Sequence, residues 1–313
     1  MAHLHYEIRG SGPTLVLLHG WALNLRVWDG LAAALRERFR VIAIDLPGHG
    51  RSGWLPQRSS LEEQVEQLRD TIGSVADEYS LLGWSLGGQL ALQLAAWPQH
   101  GDGERQRLQT GGGRRGFEYP APGRAGPRRL VLIATTPRWP ASPDWPQGAP
   151  PERLARQAAG LHTDYRRTVS DFLELQVRGS AGGAAALEQL RAARLAHGAP
   201  TAATPTDATQ AHAIPTRTAS THAPADAPSV AALARGLELL RDSDLRPLLS
   251  RITAPTLVIA GQYDRITPPA ASHALAEALP NAQYVEIRRA AHAPFLSHLP
   301  QLRALLEDFL LHS

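Results

Sequence analysis

The chain has no cysteine. That excludes a disulfide framework, a thiolate zinc site and a cysteine nucleophile. It also has no lysine, so its 32 basic side chains other than histidine are all arginines. Schiff-base chemistry through a lysine amine is therefore excluded. No run approaches the roughly 18 to 20 apolar residues of a membrane span. The first residues, MAHLHYEIRG, lack a basic stretch followed by an apolar one, so no secretory signal is expected and the cytoplasm is the default location. The formal charge of +3 is small for 313 residues. It gives no reason to expect a nucleic acid or a membrane surface as partner.

What is present is a rhythm of short apolar runs and helical patterns. Thr14 to Leu18, Arg40 to Ile44, Leu130 to Ala134, Thr256 to Ala260 and Gln283 to Ile287 read as strands. All but the last are nearly continuously apolar, as strands buried on both faces of a parallel sheet are. Leu31 to Arg38, Leu61 to Ile72 and Gly87 to Ala96 have helical patterning. Alternation of strand and helix predicts a doubly wound, mostly parallel α/β sheet.

Two stretches break the rhythm. Residues 101–127 are rich in Arg, Gly and Pro, and residues 197–228 mix Pro, Thr, Ala and His. Neither has strand or helix periodicity, so both read as flexible surface insertions. The histidines of the second lack metal-ligand spacing. Tyr165 to Val177, Ala184 to Leu195 and Ser229 to Leu240 are helical in pattern. A helical block inserted late in such a sheet reads as a lid. The expected organisation is a core of residues 1–136 and 245–313 with a lid over 137–244.

Gly83-Trp84-Ser85-Leu86-Gly87 fits the G-x-S-x-G elbow, with a strand-like run from Tyr79 to Leu82 before it and an Ala/Leu helix after it. Ser85 is the candidate nucleophile, at a helix N-terminus whose amides favour negative charge. His19-Gly20-Trp21 follows the first apolar strand, and the backbone amides of Trp21 and Leu86 are the candidate oxyanion donors. Asp264 lies just past the Thr256 to Ala260 strand, at the sheet edge where such folds place their sites. His292 lies in a loop after the last strand. The order Ser, Asp, His fits an acid that orients a base. Asp45 to Ser52 reads as a structural loop. Together these residues predict nucleophilic ester or thioester hydrolysis, with no metal or organic cofactor.

The segments His19 to Asn24, Asp45 to Ser52, Gly83 to Gly88 and Ala290 to Phe295 resemble those of the BioH esterases, the pimeloyl-acyl carrier protein methyl ester esterases of biotin synthesis. Arg167 to Gln176 is similar to that family's lid helix, and Gly236 to Leu240 with Asp244 to Arg246 to its second lid segment. The resemblance implies an α/β-hydrolase fold and demethylation of a pimeloyl chain borne on acyl carrier protein, with small esters as further substrates and a monomer as the working form. It implies a substrate site of Trp21, Ser85, Leu86, Phe172, Leu173, Glu174, Leu175, Gln176 and His292. It also implies arginines that grip the carrier, at Arg167, with Arg178, Arg191 and Arg194 or the 101–127 insertion replacing others. Asp171 departs from the pattern, standing where a further basic residue is expected. Two other readings remain open at this point: a generalist short-chain esterase of the same fold, and a non-catalytic binding protein.

Overall fold

The structure is a computed structural model and describes residues 4–97, 126–195 and 230–312. The segments read as insertions therefore lie outside the described residues, apart from Gly126 and Pro127. Strands β1 (Tyr6–Arg9), β2 (Thr14–Leu18), β3 (Arg40–Ile44), β4 (Ser80–Trp84), β5 (Leu130–Ile133), β6 (Thr256–Gly261) and β7 (Ala282–Ile287) form one sheet in the order β1-β3-β2-β4-β5-β6-β7. Only β1 runs antiparallel, with Tyr6 opposite Ile44 on β3. Every apolar run read as a strand is one. The β1 strand was not expected: YEIR is short, mixed in polarity and half-exposed, as an edge strand is.

Helices α1 (Asp29–Leu35), α2 (Leu61–Gly73), α3 (Leu86–Ala95), α4 (Pro151–Thr163), α5 (Tyr165–Val177), α6 (Gly183–Leu195), α7 (Val230–Asp242), α8 (Pro269–Ala278), α9 (Pro294–Ser297) and α10 (Leu299–His312) complete the described fold. Local chemistry sets their limits. Ser60 caps α2 in a reciprocal box with Glu63, and Leu61, Val65, Leu68 and Ile72 then fall on the face that α2 buries. The side chain of Asp164 accepts from the Arg167 amide and starts α5. The crossover helix α8 was not foreseen. Its Ala-rich sequence has a weak apolar stripe, with Ala271, Ser272, Leu275 and Ala276 buried.

The order of the strands positions the site. The chain runs from β2 to β3 on one side, then returns past β2 to lay down β4 on the other. The loops leaving β2 and β4 therefore diverge at a switch point, where such sheets open a crevice at their C-terminal edge. Helices α4 to α7 are inserted between β5 and β6, above that edge. No helix among the described residues is long and apolar enough to cross a membrane.

Candidate active site

Strand β4 ends at Trp84 and α3 begins at Leu86, leaving Ser85 alone in the turn. Its backbone, at φ 57° and ψ −118°, is in a region that non-glycine residues rarely occupy. The turn is tight enough to need glycines around it. A Cβ on Gly87 would lie 2.5 Å from the His19 carbonyl oxygen, and one on Gly88 would collide with the Thr135 hydroxyl. Leu86 opens α3, so its amide has no partner within the helix. Among the described residues the Trp21 amide donates to no backbone acceptor. Both predicted oxyanion donors thus belong to the two loops that part at the switch point.

The structure brings Asp264 and His292 together in a buried pair, with His292 Nδ1 2.8 Å from Asp264 Oδ2. The other carboxylate oxygen, Oδ1, accepts from the amides of Ile266 at 2.8 Å and Thr267 at 3.0 Å. Because a carboxylate only accepts, Nδ1 carries the proton and Nε2 is left with its lone pair. Among the described residues, Ser85 included, Nε2 has no hydrogen-bond partner. Such bonds often close only when substrate is bound. The rest of His292 is pinned. Its amide donates to the Gln176 carbonyl at 2.9 Å, its carbonyl accepts from the Trp84 indole at 2.8 Å, and its ring leans on Trp84.

The loop after β2 rests on buried polar groups. His19 Nε2 accepts from the Leu46 amide at 3.0 Å, so Nδ1 donates to the Gly20 carbonyl at 2.8 Å. That pattern requires a neutral ring, and burial pushes the His19 pKa down to about 3. Burial likewise lowers His49, whose ring meets His19 edge-on, to about 4. The carboxylate of Asp45 accepts from the amides of Leu25 and Arg51, while burial raises its pKa. The Asp45 to Ser52 loop is thus built as scaffolding under the loop after β2, as its turn-rich sequence suggests.

The inserted helices close over this loop. The Trp21 indole donates to the Leu233 carbonyl of α7 at 2.8 Å, and its ring meets Phe172 of α5 edge-on at 4.9 Å. Gly236 of α7 lies directly against it: a Cβ there would be 2.8 Å from Trp21 Cδ1 and 3.6 Å from Leu86 Cδ2. Sequence reasoning singled out Gly236 only within a segment. The available signal was a glycine inside a helix, which costs about 1 kcal/mol against alanine and so marks a close approach. Leu173 and Gln176 are buried and Leu175 is half-buried. Glu174 instead pairs with Arg191 of α6 at 3.1 Å.

The arginines expected to face a carrier differ in their surroundings. Arg167 is 3.7 Å from Asp171. Arg191 binds both Glu174 and Glu188, and Arg194 reaches the Ala22 carbonyl and the Tyr165 hydroxyl. Arg178 is exposed and in no ion pair among the described residues. Among those residues no group of three or more His, Asp or Glu side chains could hold a metal ion.

A parallel sheet with a serine in a strained strand-to-helix turn and a buried Asp-His pair on the following loops defines an α/β hydrolase. The chain belongs to the alpha/beta hydrolase family, whose model matches residues 15–304, and within it to the pimeloyl-[acyl-carrier protein] methyl ester esterases. A protein of that name from Nitrosomonas europaea is 36% identical over 298 residues, covering 95% of each chain. One from Aeromonas hydrophila is 33% identical over 96% of each. An esterase from Exiguobacterium antarcticum has a TM-score of 0.73 at 19% identity, covering 98% of this chain and 95% of its own, which shows the shared fold alone.

Proposed function

We propose that this chain is a serine carboxylesterase that removes the methyl group from pimeloyl-acyl carrier protein methyl ester, with Ser85, His292 and Asp264 as its triad. The observation that supports it most is the buried 2.8 Å Asp264–His292 pair, held on loops beside the Ser85 turn in a chain whose curated relatives are named for that reaction. His292 Nε2 takes the Ser85 proton, and the alkoxide attacks the methyl ester carbonyl. The amides of Trp21 and Leu86 stabilise the tetrahedral oxyanion, a contribution of roughly 3 to 4 kcal/mol per donor in enzymes of this kind. The imidazolium, steadied by Asp264, returns its proton to the departing methoxide, and methanol leaves. The acyl-enzyme is then hydrolysed by a water that His292 deprotonates. Trp21, Phe172 and Gly236 pack together as an apolar cluster at the loop that carries the Trp21 amide.

The test is hydrolysis of pimeloyl-acyl carrier protein methyl ester beside p-nitrophenyl butyrate, by wild type and Ser85→Ala. Turnover of both by wild type, and of neither by the variant, is the expected result. Turnover of the small ester alone by wild type would leave the triad in place and overturn the carrier-borne substrate.

A further inference from the structure

We infer that Arg194, at the end of α6, is a positioning residue for the oxyanion donor: it holds the strained backbone of Ala22, the residue after Trp21. The inference rests on the reading above in which the Trp21 amide stabilises the tetrahedral oxyanion. It takes Arg194 out of the set expected to grip a carrier.

Ala22 stands at φ 64°, in the left-handed region that residues with a Cβ rarely adopt. It is buried, as is Leu23 after it. Such a conformation persists only where its surroundings impose it. The short segment around Ala22 is tied at both ends. On one side the Gly20 carbonyl accepts from His19 Nδ1 at 2.8 Å, and that carbonyl shares a rigid peptide unit with the Trp21 amide. On the other side the Leu25 amide donates to Asp45 Oδ1 at 2.7 Å, and the Asn24 side chain to the Ala193 carbonyl at 2.9 Å. With those ends fixed, Ala22 cannot relax unless Trp21 and Leu23 turn with it. A relaxing Ala22 therefore pulls on Trp21, and through it on the peptide unit that carries the amide.

Arg194 opposes that movement. Among the described residues the Ala22 carbonyl accepts from no backbone amide, and Arg194 Nη1 donates to it at 3.1 Å. Through Nη2 the same guanidinium donates to the Tyr165 hydroxyl at 2.8 Å, and it lies over the Tyr165 ring, 5.4 Å from its centroid. Tyr165 is the first residue of α5. Two donors in one rigid fork thus fix the carbonyl against a second helix, which a flexible ammonium does not do. No carboxylate competes for the fork: among the described residues Arg194 is in no ion pair, whereas Arg167 and Arg191 each have a carboxylate partner. Its charge faces inward. Burial first, and the Arg194 charge after it, lower the pKa of the neighbouring His49.

The test is a double-mutant cycle of Arg194→Gln and Ala22→Gly on p-nitrophenyl butyrate, read as kcat, KM and thermal unfolding, with Ser85→Ala as the blank. Glycine enters the left-handed region freely and needs no holding. Arg194→Gln is expected to lower kcat about tenfold with KM within about twofold, short of the roughly 10²–10³ that outright loss of an oxyanion donor costs. In the Ala22→Gly background the same substitution should lower kcat by less than about threefold. Tyr165→Phe keeps the ring and frees the guanidinium. It should lower kcat about threefold, the weight of one hydrogen bond, with the same relief by glycine; it carries the test if Arg194→Gln does not fold. Equal losses of kcat in both backgrounds would overturn the inference, as would a rise in KM alone or a wild-type kcat in Arg194→Gln. Each of these leaves the triad in place. Full activity of Ser85→Ala would instead remove the proposed reaction, and this inference with it.

Discussion

Asp264→Asn should abolish most activity while leaving the fold almost untouched, and the reason lies in how the carboxylate is held. Oδ1 accepts from two backbone amides, those of Ile266 and Thr267, and Oδ2 faces His292 Nδ1. An asparagine has the same shape but only one oxygen. The two amides compel that oxygen into the Oδ1 position, because turning the NH2 group there would set donor against two donors. The NH2 group must then face His292. Nδ1 becomes an acceptor, its proton moves to Nε2, and the imidazole loses the lone pair that takes the Ser85 proton. The same wrong-tautomer substitution in a Ser-His-Asp protease lowers kcat about 10⁴-fold, or about 5.4 kcal/mol in the barrier at 1.36 kcal/mol per decade. All three hydrogen bonds survive in altered polarity, so the melting temperature should shift by only a few degrees. The assay is p-nitrophenyl butyrate hydrolysis with thermal unfolding of the same preparation. A variant that keeps its stability and more than about a tenth of wild-type kcat would refute Asp264 as the orienting acid.

Other consequences are open to measurement. Below about pH 6.5 the unfolded chain protonates His19 and His49, which the folded chain keeps neutral down to about 3 and 4. Their stabilisation is complete above pH 6.5 and is lost as the pH falls, at up to about 2.7 kcal/mol per pH unit for the two together. The raised pKa of Asp45 opposes this only at the acid end. Urea midpoints that stay level as the pH falls from neutrality would contradict the buried, neutral pair. Gly88→Ala puts a methyl group into Thr135 and should cost about 1 to 3 kcal/mol; a double-mutant cycle with Thr135→Ala should recover part of it, and purely additive effects would argue against the contact. Gly236→Ala should lower kcat about tenfold, a loss of about 1.4 kcal/mol of transition-state stabilisation, by pushing on Trp21, although alanine is the better helix former. Unchanged kcat with a raised melting temperature would mean that the oxyanion loop tolerates the displacement.

Much of this is legible in the sequence because the signals are local. A strand buried on both faces writes itself as an apolar run, and TLVLL, RVIAI and TLVIA all did. The Ser85 elbow carries its glycines within two or three residues of the serine. Asp264 and His292 were singled out by order along the chain, each just beyond a strand end, and the two side chains do meet. The parts that escaped depend on contacts between distant residues. Trp21 and Leu233 are 212 positions apart, and Trp84 and His292 are 208. Nothing near either residue marks such a partner. The same holds for the bond between Arg191 and Glu174, which forms because α5 and α6 lie side by side. The pairs Arg167–Asp171 and Arg191–Glu188, by contrast, lie within one turn of a helix and were legible as charge spacing.

The inserted helices are joined to the site through backbone groups that their own geometry leaves over. The last four carbonyls of an α-helix have no partner within it. Gln176 is the penultimate residue of α5, and its carbonyl accepts from the His292 amide. Ala193, near the end of α6, offers its carbonyl to the Asn24 side chain at 2.9 Å, and the neighbouring Arg194 holds the Ala22 carbonyl at 3.1 Å. The helix ends thus fasten to the His292 loop on one side and to the loop of Ala22 and Asn24 on the other. Shortening α5 or α6 by a turn would remove these acceptors along with packing area. Activity should therefore be more sensitive to the lengths of these two helices than to the residues on their exposed faces.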